Sequence, residues 1–134
     1  MSDSFHFELV SPESLLKDTA VQSVTVPGAE GDFAVLPNHA PLMSTIRPGV
    51  VEVLEVDAST PERLFLKGGL AQVTPTGLTI LAEETLPLDT VDAAALAQDL
   101  ADAREDLEDA KDDVERSRVA KKIAWMEALT SALA

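Results

Sequence analysis

The distribution of glycine and proline constrains this chain most. From Val91 to Ala134 neither residue occurs, whereas before Val91 they recur throughout. Both residues interrupt regular structure or set its turns, so the chain has two parts with different local rules. From Ser4 to about Leu88, short apolar pieces are punctuated by turn residues, the pattern of an all-β sandwich or barrel. Phe5, Phe7 and Leu9 alternate with His6 and Glu8, and Val24 and Val26 stop at Pro27-Gly28. Phe33 and Val35 precede Pro37, Val51 and Val53 follow Pro48-Gly49, Leu64 and Leu66 precede Gly68-Gly69, and Leu78 and Ile80 follow Gly77. A period of two puts each apolar set on one face of a strand, so short strands joined by tight turns are expected.

Beyond Val91, alanine and charged residues dominate, a composition of strong helix formers. Leu96, Leu100, Ala103, Leu107, Ala110 and Val114 follow one another by steps of three and four, which keeps them on one helix face. The next step, to Val119, is five, and Val119, Ile123, Met126 and Leu133 form a second stripe in a new phase. A turn near Asp109 to Asp113 and an antiparallel hairpin are expected. A single bent helix is the alternative, because no glycine marks the turn. The predicted division is a β-sandwich domain over 1–87 and a helix-turn-helix domain over 88–134. So short a hairpin cannot enclose a substantial core, so it must lie on the β domain or on a partner.

Charge and composition narrow the function. There are 24 acidic residues against 10 Lys and Arg, a net charge of -14, with 12 acids and 4 bases through Pro87 and 12 acids and 6 bases beyond it. Nucleic-acid phosphates and anionic lipids repel such a protein, so the favoured partner is another protein. With a hydrophobic fraction of 46%, the sequence is expected to fold rather than remain disordered. The absence of cysteine excludes a disulfide framework, a thiolate zinc site and a cysteine nucleophile, and agrees with a reducing compartment. The start, MSDSFHFELV, reads as neither a signal nor a transit peptide. Apolar runs such as Val50 to Val56, broken by Glu52 and Glu55, fall far short of the roughly 20 residues a membrane span needs, so no membrane insertion is expected. Within the helical part, the acid-rich stretch from Asp99 to Glu115 gives way to a basic cluster, Arg116, Arg118, Lys121 and Lys122. It reads either as solvated surface behind a dipole-matched acidic start or as a patch facing a partner.

Catalytic signatures are absent. The two histidines, His6 and His39, come without HExxH spacing or a nucleophile elbow, and His6 alternates outward, as a surface residue would. Adjacent Glu83 and Glu84 would point to opposite faces of an extended strand, poor geometry for paired-carboxylate chemistry. Gly68-Gly69 and Pro48-Gly49 lack the other positions of a phosphate loop, and Trp125 and Met126 read as packing residues. No catalytic residue, metal site, nucleotide site or cofactor is expected.

The most informative stretch is PGAEGDFAVLPNHAPL, Pro27 to Leu42, an apolar strand between two turn-rich loops stiffened by Pro37 and Pro41. Together with PGVVEV at Pro48 to Val53, LKGGLAQV at Leu66 to Val73, LAEET at Leu81 to Thr85 and the helical tail, it resembles the ATP synthase epsilon subunit family over essentially the whole chain. The resemblance implies a flattened β-sandwich that binds the gamma subunit and rests on the polar loops of the membrane c-ring, followed by a helical hairpin. It implies a non-catalytic rotor subunit, peripheral on the cytoplasmic face of the bacterial inner membrane. Gly28, Glu30, Gly31, Asp32 and His39 are then the ring-facing candidates. The tail of many relatives can extend into the alpha/beta catalytic head and oppose ATP hydrolysis, a contact to which Arg116, Arg118, Lys121 and Lys122 are suited. Some relatives bind ATP through an aliphatic-Asp-x-x-Arg-Ala motif at the first helix. Aligned on Val91-Asp92, the arginine position here holds Ala95, and aligned on Leu88-Asp89 it holds Asp92, so no nucleotide site is expected. The alternatives are a free-standing small-ligand β module with an oligomerising helical tail and, more remotely, an enzyme.

Overall fold

The computed structural model describes residues 4–134, so the first three positions of the acidic start lie outside it. Two compact units divide between Pro87 and Leu88. The first holds nine strands among the described residues: β1 (Phe5–Val10), β2 (Leu15–Gly28), β3 (Gly31–Val35), β4 (Leu42–Ile46), β5 (Gly49–Glu55), β6 (Glu62–Leu66), β7 (Gly69–Thr74), β8 (Gly77–Ala82) and β9 (Thr85–Pro87). They form a sandwich with lateral order β1-β8-β7-β4-β2-β5-β6-β9; β3 pairs with β2, and a further β1–β2 pairing closes the ladder. Phe7, Leu9, Val21, Val24, Val26, Val51, Val53, Leu78 and Ile80 are buried together inside it. Fully burying a side chain of this size contributes about 1.5–3 kcal/mol, which is why the alternating positions dictate the sheet faces.

The strands are not uniformly short. At 14 residues, β2 pairs with β1, β3, β4 and β5. Its register against β5 slips between Val21 and Ser23, and this bulge returns Val24 and Val26 to the core after a three-residue step from Val21. Gln22 fixes the bulge by donating from Nε2 to the carbonyls of Glu55 and Val56, at 3.1 and 2.8 Å. The strand ends at Gly28, as expected, but Pro27 and Gly28 are still paired, with Asp32 and Gly31, so Ala29 and Glu30 make the turn. Proline has no N–H for the ladder, but its carbonyl accepts the Arg47 N–H at 3.0 Å. Strand β6 departs from simple alternation, because Phe65 is buried as fully as Leu66.

The second unit has a 3₁₀ turn, Leu88–Thr90, then α1 (Ala93–Asp109) and α2 (Asp113–Leu133). There are two helices, not one bent helix. Ala110 and Asp112 are both extended, and the Asp112 carboxylate accepts the Glu115 N–H at 2.7 Å, so an aspartate N-cap restarts the helix where no glycine is present. The helices pack on each other, and Arg104 of α1 reaches Glu127 of α2 at 3.1 Å, which makes the pair antiparallel. Leu96, Leu100 and Ala103 are buried on α1, and Val119, Met126 and Leu129 on α2. The apolar stripe does not extend to Val114, the second residue of α2, which is 81% exposed; Leu129, one step beyond Met126, joins the second stripe instead.

Candidate interaction site at the β2–β3 hairpin

Four of the five ring-facing candidates come together at the tip of the β2–β3 hairpin. A side chain at Gly28 would bring its Cβ to 2.7 Å from the Gly31 carbonyl oxygen and 2.9 Å from the Phe33 ring, so only glycine fits. Gly31 has φ +138°, a region that L side chains rarely adopt. Between them Ala29 and Glu30 are exposed, and the Ala29 N–H donates to the Thr45 carbonyl at 2.8 Å. Asp32 accepts from the Arg47 guanidinium at 2.5 Å, and the same guanidinium donates to the Gly28 carbonyl at 2.6 Å.

The other turns at this end are joined to the tip by direct pairings: Gly28 with Ile46, Ile46 with Gly69, and Gly69 with Ala82. The Glu83 N–H donates to the Gly68 carbonyl and the Lys67 N–H to the Glu84 carbonyl, each at 3.0 Å. Glu83 and Glu84 thus lie in the β8–β9 connection, both exposed, rather than on opposite faces of one strand. Lys67 is paired with Glu84 at 2.5 Å, as Arg47 is with Asp32, whereas Glu30 has no ion pair among the described residues.

The fifth candidate lies elsewhere. His39 is in the β3–β4 loop at the other end of β3, a strand that alone spans roughly 13 Å at the usual rise per residue. Its N–H donates to the Leu36 carbonyl at 3.1 Å, Nδ1 lies 2.7 Å from the Ala40 carbonyl, and Asn38 beside it has φ +68°. The half-buried ring lines a cavity of about 270 Å³ with Phe5, Leu36, Pro41, Val73 and Pro75.

The basic cluster is likewise divided. Arg116 pairs with Asp113 at 2.5 Å and lies about 200° around the helix from Arg118 at 3.6 residues per turn. Arg118, Lys121 and Lys122, all exposed, are spaced by three and four and share a face. Asp92, the aspartate of the first motif alignment, caps α1 by accepting the N–H groups of Ala94 and Ala95 at 3.0 and 3.1 Å. Trp125 is half-buried and Met126 buried.

His6 is exposed on β1, but it has neighbours that its sequence position does not reveal. It offers a ligand atom within 4.8 Å of others from Glu8 and Asp18. Glu8 and Asp18 are direct cross-strand partners, an unfavourable juxtaposition of like charges, and His6 Nε2 lies 2.6 Å from the Asp18 carboxylate. Two ligands of one tetrahedral zinc ion sit roughly 3.3 Å apart, so the closer contact is that of a direct hydrogen bond.

The residue of the tip that sequence reasoning misses is Arg47, which contacts both Gly28 and Asp32. One signal was available: it is the only Lys or Arg between Lys17 and Arg63.

The fold and its site define a class, a β-sandwich with a braced hairpin tip followed by a helical pair. Residues 4–87 match the family model described as ATP synthase, Delta/Epsilon chain, beta-sandwich domain, and residues 92–134 match the model of the C-terminal domain of the ATP synthase epsilon chain. An ATP synthase epsilon chain of Maricaulis maris is 52% identical over 134 residues, covering 100% of this chain and 99% of that protein. One of Mesorhizobium japonicum is 44% identical, covering 99% and 98%. A polypeptide in the cryo-EM structure of the Euglena gracilis mitochondrial ATP synthase, OSCP/F1/c-ring, superposes with TM-score 0.86 at 27% identity, covering 98% of this chain and 82% of that one. Another, in the Tetrahymena thermophila mitochondrial ATP synthase central stalk/c-ring, shares the fold, with TM-score 0.73 at 12% identity and coverage of 99% and 98%. The protein belongs to the ATP synthase epsilon chain family.

Proposed function

We propose that this protein is a non-catalytic rotor subunit of the central stalk, coupling rotation of a membrane c-ring to the gamma subunit. The observation that carries this reading is a fold match over 98% of the chain to a polypeptide within an F1/c-ring assembly, beside a sequence match over the whole chain to an ATP synthase epsilon chain. The geometry supports it: turns at one end of the sandwich are cross-paired, with the hairpin tip Gly28 to Asp32 among them. A contact that passes torque needs such a stiff, densely hydrogen-bonded body. The tip is the proposed ring contact; His39, at the other end of β3, falls outside that patch. The helical hairpin is the proposed regulatory part, meeting the alpha/beta head through Arg118, Lys121 and Lys122, with Arg116 turned away, and restraining ATP hydrolysis. Among the described residues no helix is long and apolar enough to cross a membrane. The proposed location is peripheral, on the cytoplasmic face of the bacterial inner membrane, held there by partners.

Affinity purification of the tagged protein from its own membranes tests the reading. A rotor subunit comes out with gamma, the catalytic head and the c-ring. Recovery of the protein alone, with a small molecule bound, would instead identify a ligand-binding module.

A further inference from the structure

We propose that Arg47 is the positioning residue that keeps the β2–β3 hairpin tip rigid enough to pass load to a partner. This rests on the reading of that tip as the ring contact and adds what makes the contact stiff. Among the described residues strand β3 pairs with β2 alone, which leaves the other edge of the ribbon without a strand partner there. Its tip contains Gly28 and Gly31, residues with the greatest backbone freedom. An unsupported two-stranded ribbon is marginal in water, so the tip needs a brace from another element.

The β4–β5 turn supplies it on both sides. Through the main chain, the Arg47 N–H donates to Pro27 at 3.0 Å and the Ala29 N–H to Thr45 at 2.8 Å. Through the side chain, the planar guanidinium holds the Gly28 carbonyl at 2.6 Å and the Asp32 carboxylate at 2.5 Å, one partner on each strand of the ribbon. A Cβ on Gly49 would lie 2.9 Å from Pro27, so the turn lies close against the hairpin it braces. The ion pair is exposed on both sides, and such pairs add little to global stability. Its effect is local, on the motion of the tip. Asp32 is thereby the partner of the brace, and Glu30 is the acid left to meet the ring.

Amide hydrogen exchange on the full-length protein reads the brace directly. Arg47→Met keeps most of the aliphatic stem, so exchange at the Ala29 amide should rise about tenfold while Val51 and Val53 in the core are unchanged. Arg47→Lys, which keeps a charged donor for the Gly28 carbonyl and the Asp32 carboxylate, should raise it less. In the reassembled synthase, Arg47→Met should also lower proton pumping per ATP hydrolysed, as should Glu30→Lys by altering the contact itself. Unchanged Ala29 exchange in Arg47→Met overturns the brace. Faster exchange with full pumping, where Glu30→Lys still impairs pumping, overturns its role in coupling. Full pumping in both variants removes the ring contact, and the coupling role with it, while the exchange result continues to report on the brace.

Discussion

At the scale of single residues, charge is used to tie strands that hydrophobic patterning only brings near one another. Lys17 on β2 reaches Glu62 on β6 at 2.7 Å and Glu55 on β5 at 3.4 Å. Its hydrogen bond to Glu62 outweighs the cost of partial burial and raises its pKa above the ordinary 10.5. A raised folded value means the ammonium contributes its full stabilisation below the unfolded pKa and loses it as pH climbs through the folded value. Both carboxylates are partly solvated and screened, so Lys17→Met should cost about 0.5–1 kcal/mol at neutral pH. In paired denaturant titrations the gap should narrow at strongly alkaline pH. A gap that stays constant across that range would assign the loss to packing of the lysine stem. Arg47 works differently: it joins a turn to a hairpin tip, where the consequence is mobility rather than stability.

At the scale of elements, caps and bulges decide where regular structure begins and changes face. Replacing Asp112 by alanine removes the acceptor of the Glu115 N–H and should cost α2 about 1 kcal/mol, visible as earlier loss of far-ultraviolet ellipticity on heating. If Asp112→Ala melts as the parent does, the cap is dispensable and the break depends on the extended backbone at Ala110. The β unit buries its own cluster, from Phe7 to Ala82, entirely upstream of the helices. A fragment ending at Pro87 should therefore fold alone with dispersed amide resonances and still join gamma. Broad, collapsed spectra from that fragment would show that the sandwich needs the tail.

At the scale of the whole molecule, charge shapes what the protein can bind. Both parts are net acidic, and the helical unit concentrates its positive charge on the face of Arg118, Lys121 and Lys122. Neutralising these three should relieve tail-dependent restraint of ATP hydrolysis in the assembled enzyme, because an ion pair desolvated across an interface loses heavily when one side is removed. Neutralising Arg116, already paired with Asp113, should do much less. If both sets leave hydrolysis equally restrained, the head contact is made elsewhere. Nucleotide binding should be weak or absent. Ala95 and Asp92 fall at the arginine position of the motif in its two alignments, and Asp92 is engaged as a helix cap. Calorimetric titration of the protein with magnesium-ATP checks this, saturable micromolar binding lost on removing the tail being the contrary outcome.

By itself the sequence determined the order of β before α and the face that most regular stretches bury, β6 and the start of α2 excepted. Those properties depend on periods of two and about 3.6 and on where glycine and proline interrupt them, all of which are local. The turn residues of Pro27 to Leu42 also revealed the family. Tertiary structure decided the rest. The long β2 was hidden because Gln22 and Ser23 break the alternation at a bulge, which makes sense only against β5. The parallel β1–β8 pairing joins segments some seventy residues apart, and no local signal encodes it. The ring-facing set could be read as one group because its members are close in sequence, yet β3 holds His39 a strand length away from the tip. Arg47 could be seen as an isolated cation in an acidic stretch. That it grips both strands of a neighbouring hairpin follows only from the fold, which brings a turn nearly twenty residues downstream of Gly28 against it.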